Sequence, residues 1–64
     1  MRLTEFWSRM EAALGDGYAR YWASAHVLGE LGDRTVEEAL GAGVPAKDVW
    51  RAVWRELDLP AKER

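Results

Sequence analysis

Residues 35–57 read TVEEALGAGVPAKDVWRAVWREL, and this stretch decides the fold. Thr35 and Glu38 form a capping box, in which each side chain accepts a hydrogen bond from the backbone N–H of the other residue. Gly43 is expected to end this short helix in the left-handed region. Pro45 fits the first turn of the next helix, where its missing N–H costs nothing. The core stripe of that last helix comprises Val49, Trp50, Val53 and Leu57. The stretch therefore predicts two helices joined by a tight turn.

Two further helices are predicted before this stretch. Thr4 is the expected N-cap of the first helix, and Gly15-Asp16-Gly17 is expected to end it. The apolar residues of this helix recur at helical spacing and are Leu3, Phe6, Trp7, Met10, Ala13 and Leu14. The second helix is expected to run from about Tyr18 to Leu31. One of its faces carries Tyr18, Tyr21, Trp22, Ala25 and Leu28. No segment is predicted to be a strand.

The predicted fold is all-α, a compact bundle of three to four short helices with a helix-turn-helix-like C-terminal half, and residues 1–64 form a single small domain. The second helix is expected to be central, because Val27 and Leu31 make it apolar on a second side. These two residues are predicted to contact the third helix or, alternatively, a second copy of the chain. Pro60 is expected to end the last helix, followed by a frayed segment over residues 61–64.

Composition and charge exclude several classes of function. Nine basic and eleven acidic side chains give a formal net charge of −2, whereas general nucleic-acid binders carry a basic excess. Cysteine is absent, which excludes disulfides, thiolate zinc sites and a thiol nucleophile. The apolar runs are too short to cross a bilayer, so we expect no membrane association and a cytoplasmic location.

The sequence also predicts that the protein is not an enzyme and needs neither a cofactor nor a metal. His26 is the single histidine, and a catalytic histidine needs an orienting acid and a nucleophile. Ser8 and Ser24 are the two serines, and neither lies in a nucleophile motif. We interpret His26 as a boundary residue bonded to a backbone carbonyl or to water.

The turn segment has the residue spacing of a helix-turn-helix unit. Such a unit uses a small residue, a glycine, an apolar residue and a β-branched residue in order, here Ala39, Gly43, Val44 and Val49. Lys47 and Arg51 would then contact phosphate or guanine from the second helix of the unit. Glu38 stands where an apolar residue is usual, and Asp48 would repel the DNA backbone. DNA binding is therefore the alternative function, by a dimer, because a single unit makes too few phosphate contacts.

The outer edge of the last helix is the leading candidate for a binding surface. A step of about 100° per residue places Trp54 off the core stripe and next to a basic ridge. Lys47, Arg51 and Arg55 form that ridge. Because tryptophan and arginine are enriched at interface hot spots, these four residues predict a small non-enzymatic adaptor that binds a partner protein. In the alternative interpretation, Trp54 lies flat over the first helix and has a purely structural role.

Five segments together resemble a family of short actinobacterial proteins that is known as a domain of unknown function. They are MRLTEFW at residues 1–7, HVL at 26–28, RTVEEALGAGV at 34–44, VWRAV at 49–53 and LDLP at 57–60. The resemblance covers nearly the whole chain. It implies no activity and no catalytic or ligand residues. Genes of this family often lie beside the gene of the DNA-repair recombinase, so the resemblance implies a DNA-repair setting for the expected protein partner.

Overall fold

The computed structural model describes residues 1–59, which form four α-helices and one small sheet. In chain order the elements are α1 (Leu3–Leu14), α2 (Asp16–Ala25), β1 (Val27–Leu28), β2 (Arg34–Thr35), α3 (Val36–Gly41) and α4 (Ala46–Glu56). A 3₁₀ turn over Gly29–Leu31 lies between the two strands. The prediction of a mostly helical chain is confirmed, and the prediction that no strand forms is wrong. The last helix ends at Glu56, before the expected stop at Pro60, and Pro60 itself and the expected frayed segment 61–64 lie outside the described residues.

The second helix ends much earlier than the apolar spacing predicts. It begins at Asp16 and ends at Ala25, and His26 is already extended, with φ −90° and ψ 121°. Val27 and Leu28 then pair antiparallel with the two residues of β2. Val27 is β-branched and Gly29 is a poor helix former, so local propensity in this segment opposes a helix.

Val27 and Leu31 therefore do not share one helix face. Val27 lies in β1 and is 53% exposed, whereas Leu31 lies in the 3₁₀ turn and is partly buried against the core. Leu28, between them, is 1% exposed. The extended segment thus delivers one apolar side chain to the core and leaves its neighbour in solvent.

The capping box at the start of α3 is confirmed. The backbone N–H of Glu38 donates to Thr35 Oγ1 at 3.1 Å, and the N–H of Thr35 donates to Glu38 Oε1 at 2.9 Å. Thr35 has φ −75° and ψ 167°, because an N-cap residue is extended. The same extended conformation lets Thr35 pair with Val27 in the sheet. One residue therefore ends the hairpin and begins the helix.

The turn between α3 and α4 is a Schellman motif, as the predicted glycine stop implies. Gly43 has a φ of +94°, and its N–H donates to the carbonyl of Leu40 at 3.1 Å. The N–H of Val44 donates to the carbonyl of Ala39, also at 3.1 Å, and these two bonds define the motif. Pro45 precedes the first helical residue, Ala46, instead of lying within the first turn.

The junction between α1 and α2 is a single residue. Gly15 has a φ of +94°. Its carbonyl accepts a hydrogen bond from the N–H of Ala19, and its N–H donates to the carbonyl of Glu11. Asp16 already belongs to α2, so the predicted three-residue turn is wrong in its length. The predicted cap at Thr4 is also wrong. Thr4 lies inside α1, and Arg2 is the N-cap residue, without a side-chain hydrogen bond.

All four helices contribute to one core, which α4 lines with four buried side chains. The buried apolar residues are Phe6, Met10, Ala19, Trp22, Ala23, Leu28, Val36, Ala39, Val49, Trp50, Ala52 and Val53. The predicted stripe of α4 is confirmed at Val49, Trp50 and Val53, while Leu57 is partly buried. None of the helices in the described part of the chain is long and apolar enough to span a membrane.

The two tyrosines are not part of this core. Tyr18 is 53% exposed and Tyr21 is 64% exposed, although both lie on the predicted apolar face of the second helix. The buried residues of α2 are instead Ala19, Trp22 and Ala23. Alanine allows two helices to approach closely, whereas a buried tyrosine needs a partner for its hydroxyl. The tyrosine rings contact each other at the surface, with centroids 6.0 Å apart.

We predict that Thr35→Ala lowers the free energy of unfolding by about 1 kcal/mol more than Thr35→Ser, because only the alanine variant loses the capping hydroxyl. Both variants lose the threonine methyl group, so the difference between them isolates the cap. Urea unfolding followed by tryptophan fluorescence measures it. Equal stability of the two variants would show that the Thr35 hydroxyl does not hold the start of α3.

Candidate functional site

A concave feature between α1 and α4 is lined by several of the predicted binding residues. We call it the α1–α4 cleft; its volume is about 400 Å³ and it is open to solvent on one side. The described residues that line it are Met1, Glu5, Arg9, Lys47, Trp50, Arg51 and Trp54. Three of the four predicted binding residues therefore meet at one place.

Aromatic packing below the cleft sets the position of α1 against α4. The rings of Phe6 and Trp50 meet edge to face, with centroids 6.3 Å apart and an interplanar angle of 87°. Phe6 also contacts Trp7 at 5.3 Å and 78°. Phe6 is fully buried and Trp50 is 3% exposed. Edge-to-face pairs of this kind are favourable beyond the area that they bury, so the cleft has a rigid apolar floor.

Cationic side chains dominate the rim of the cleft. Arg9 pairs with Glu5 one turn earlier on α1, at 3.1 Å, and Arg51 lies 3.7 Å from Asp48 on α4. Within residues 1–59, Lys47 makes no ion pair. The Arg51–Asp48 pair is about half exposed, with side-chain exposures of 48% and 46%, and exposed pairs are worth only about 0–1 kcal/mol. A negatively charged ligand could replace Asp48 at little cost.

Arg55 does not share this site. Its guanidinium lies 3.2 Å from a carboxylate oxygen of Glu30, in the 3₁₀ turn between the strands. Arg55 lines two shallow surface depressions on that side of α4 and does not line the α1–α4 cleft. The sequence places Arg55 about 80° around the helix from Lys47, and this angle separates the two residues. The predicted ridge is thus divided between two surfaces.

Trp54 is partly exposed and borders the cleft together with residues of α1. It lies near the end of α4, where Asp58 adopts a φ of +53°. The backbone N–H of Asp58 donates to the carbonyl of Arg55. The N–H of Leu59 donates to the carbonyl of Trp54 at 3.1 Å. These bonds form a second Schellman motif. In such motifs an apolar contact is common between the residues that stand where Trp54 and Leu59 stand here. Backbone hydrogen bonds therefore close the last turn of α4, in which Trp54 lies.

His26 lies away from the cleft, in a contact that the sequence does not predict. Its ring stacks on Trp22 with centroids 4.7 Å apart and an interplanar angle of 10°. Its Nε2 lies 3.1 Å from a carboxylate oxygen of Glu56. The partners are thus an indole and a carboxylate, and the predicted bond to a backbone carbonyl or water is not the observed one. The spacing of four residues between Trp22 and His26 could have indicated the stack, but no local signal points to Glu56.

A cation–π contact on the other side of α1 was also missed. The guanidinium carbon of Arg20 lies 3.8 Å from the ring centroid of Trp7, well within the range of such contacts. The contact joins α2 to α1, and the Trp7 side chain is only partly buried. Within the described chain, no group of three or more histidine, cysteine, aspartate or glutamate side chains could hold a metal ion.

We predict that Trp50→Ala lowers the free energy of unfolding by about 3–5 kcal/mol, as expected for a large buried aromatic residue. Trp54→Ala should lower it by about 1–2 kcal/mol, because its ring keeps part of its surface in water in the folded state. Because the larger loss approaches the whole stability of so small a domain, Trp50→Ala should show no cooperative thermal transition by circular dichroism, whereas Trp54→Ala should keep one. If Trp54→Ala were as damaging as Trp50→Ala, Trp54 would be a core residue and the cleft would lack an accessible indole.

The family model described as "Protein of unknown function (DUF3046)" matches residues 1–62. The chain belongs to this family, which confirms the resemblance to a domain of unknown function. No curated protein and no solved structure matches the chain.

Proposed function

We propose that this member of the DUF3046 family is a small non-enzymatic adaptor that binds a partner protein through the α1–α4 cleft. One observation carries the proposal. Lys47, Arg51 and Trp54 lie together at the rim of a cleft whose floor is the buried ring of Trp50. Tryptophan and arginine provide much of the binding energy at protein interfaces, especially where they surround a well-packed pocket.

The engagement of the potential catalytic groups supports a non-enzymatic role. His26 is stacked on Trp22 and faces Glu56 at 3.1 Å. The hydroxyl of Ser24 donates to the backbone carbonyl of Tyr21 at 2.9 Å, so it is not directed at a histidine. Nucleophilic catalysis needs a nucleophile within hydrogen-bond reach of its base, and these two side chains have other partners.

A DNA-binding helix-turn-helix module that acts as a dimer is the second candidate. It is favoured by the Schellman turn between α3 and α4 and by the exposure of Lys47 and Arg51 on the first turns of α4. It ranks second because Asp48 lies 3.7 Å from Arg51 and would face the same phosphates. The formal net charge of −2 adds long-range repulsion.

The adaptor proposal predicts position-dependent cross-linking in the source cells. A photoreactive benzoylphenylalanine in place of Glu5 should capture a defined partner protein, because Glu5 lines the cleft and is not one of the proposed binding residues. The same group in place of Arg34, an exposed cation of β2 that does not line the cleft, should not. Capture is measured by mass spectrometry of the purified adducts. A DNA-repair protein is the first partner to look for, given the gene neighbourhood that the family resemblance implies.

The control for this experiment is Arg51→Glu in the cross-linker protein. This substitution reverses a charge at the cleft on an exposed residue, so it should abolish capture while the helical circular dichroism spectrum stays unchanged. The proposal would be contradicted if position 34 captured the same protein as position 5, or if Arg51→Glu left capture intact.

A further inference from the structure

The charge of the α1–α4 cleft is opposite to that of the chain as a whole. Among residues 1–59, the cleft is lined by three cationic side chains, Arg9, Lys47 and Arg51, and by one carboxylate, that of Glu5, in a chain whose formal net charge is −2. Complementary charge favours an acidic occupant. Arg51, whose pair with Asp48 is about half exposed, would exchange its partner at little cost, and Lys47 makes no ion pair within residues 1–59.

The functional side chains of α4 follow one line along the helix. Lys47, Arg51 and Trp54 are spaced by four and then three residues, which places them on one face. At 1.5 Å rise per residue, the two cations lie about 6 Å apart along the axis, and Trp54 lies about 4–5 Å further on. The order along the cleft is therefore cation, cation, indole.

An extended peptide fits the spacing of the two cations. Alternate residues of an extended chain point to the same side and lie about 6.6 Å apart, which is close to the roughly 6 Å between Lys47 and Arg51 along α4.

Resting on the proposed adaptor function, we propose that the α1–α4 cleft binds an extended acidic segment of the partner protein. Two acidic residues of the segment, separated by one residue, pair with Lys47 and Arg51. An apolar residue, separated from the nearer acidic residue by one residue, packs against Trp54 over the floor formed by Trp50. The segment runs in either chain direction, because salt bridges and apolar packing impose the order of side chains and not the polarity of the backbone.

An amide chemical-shift titration of the labelled protein tests this proposal. The probes are the blocked peptides Ser-Asp-Ser-Asp-Ser-Leu-Ser and Ser-Leu-Ser-Asp-Ser-Asp-Ser. At least one should shift the amides of α1 and α4 around the cleft, with a dissociation constant of about 1 mM or lower. Lys47→Glu should weaken binding by at least about tenfold, whereas Arg34→Glu, which makes the same charge change outside the cleft, should weaken it less than about twofold through long-range screening alone.

Peptide variants separate the parts of the proposal. Three changes to the peptide should each remove most of the binding. They are asparagine in place of both aspartates, serine in place of leucine, and a scrambled order in which the two aspartates are adjacent. Equal binding of the scrambled peptide would overturn the spacing argument. Equal weakening by Lys47→Glu and Arg34→Glu would show non-specific attraction and would overturn the site.

A mixed-sequence DNA duplex at low salt is the competing probe. Shifts of the cleft amides by the duplex, together with silence of every peptide, would overturn the acidic-peptide proposal in favour of the helix-turn-helix candidate. Silence of the peptides and the duplex, with cross-linking from position 5 intact, would overturn the proposed ligand chemistry and leave the adaptor function standing.

Discussion

The packing of Phe6 against Trp50 is the contact on which both the arrangement of the helices and the cleft depend. Phe6 is the fully buried aromatic residue of α1, and Trp50 is the large buried residue of α4, so their edge-to-face contact at 6.3 Å fixes one helix against the other. Removal of a buried aromatic ring costs about 3–5 kcal/mol. That is comparable to the whole net stability that so small a domain obtains from its core.

The α1–α4 cleft is a consequence of this contact. The floor is the ring of Trp50, and the walls carry Glu5 and Arg9 from one helix and Lys47, Arg51 and Trp54 from the other. The helical period places Glu5 and Arg9 about 100° and 60° around α1 from the buried Phe6, and both therefore lie at the rim. A protein with a buried core and an exposed charged rim therefore obtains its binding surface from the same two helices that stabilise it.

The sequence predicts the C-terminal half of the fold well because its signals are local. The capping box of Thr35 and Glu38 and the stop at Gly43 each depend on residues within one turn of the chain, and the structure contains both. The stripe of α4 is similarly clear, since Val49, Trp50 and Val53 follow the helical period without interruption. The same helical period predicts that three further residues lie together, and these residues, Lys47, Arg51 and Trp54, all line the cleft.

The parts that the sequence could not predict depend on contacts between distant residues. The segment after Ala25 has apolar spacing that fits a helix, yet its extended form is chosen by pairing of Val27 with Thr35. The exposure of Tyr18 and Tyr21 follows from which face of α2 the rest of the core covers.

The charged contacts show the same limit. The pairs of Arg55 with Glu30 and of His26 with Glu56 join residues 25 and 30 positions apart. No local pattern indicates such pairs.

The most direct test of this account is a nuclear Overhauser spectrum of the aromatic protons in solution. We expect cross-peaks from the ring of Phe6 to the indoles of both Trp7 and Trp50. The contact with Trp7 joins adjacent residues and would survive without tertiary packing, so it is an internal control. Cross-peaks from Phe6 to Trp7 alone would show that α1 is not docked on α4 and would contradict both the core and the cleft.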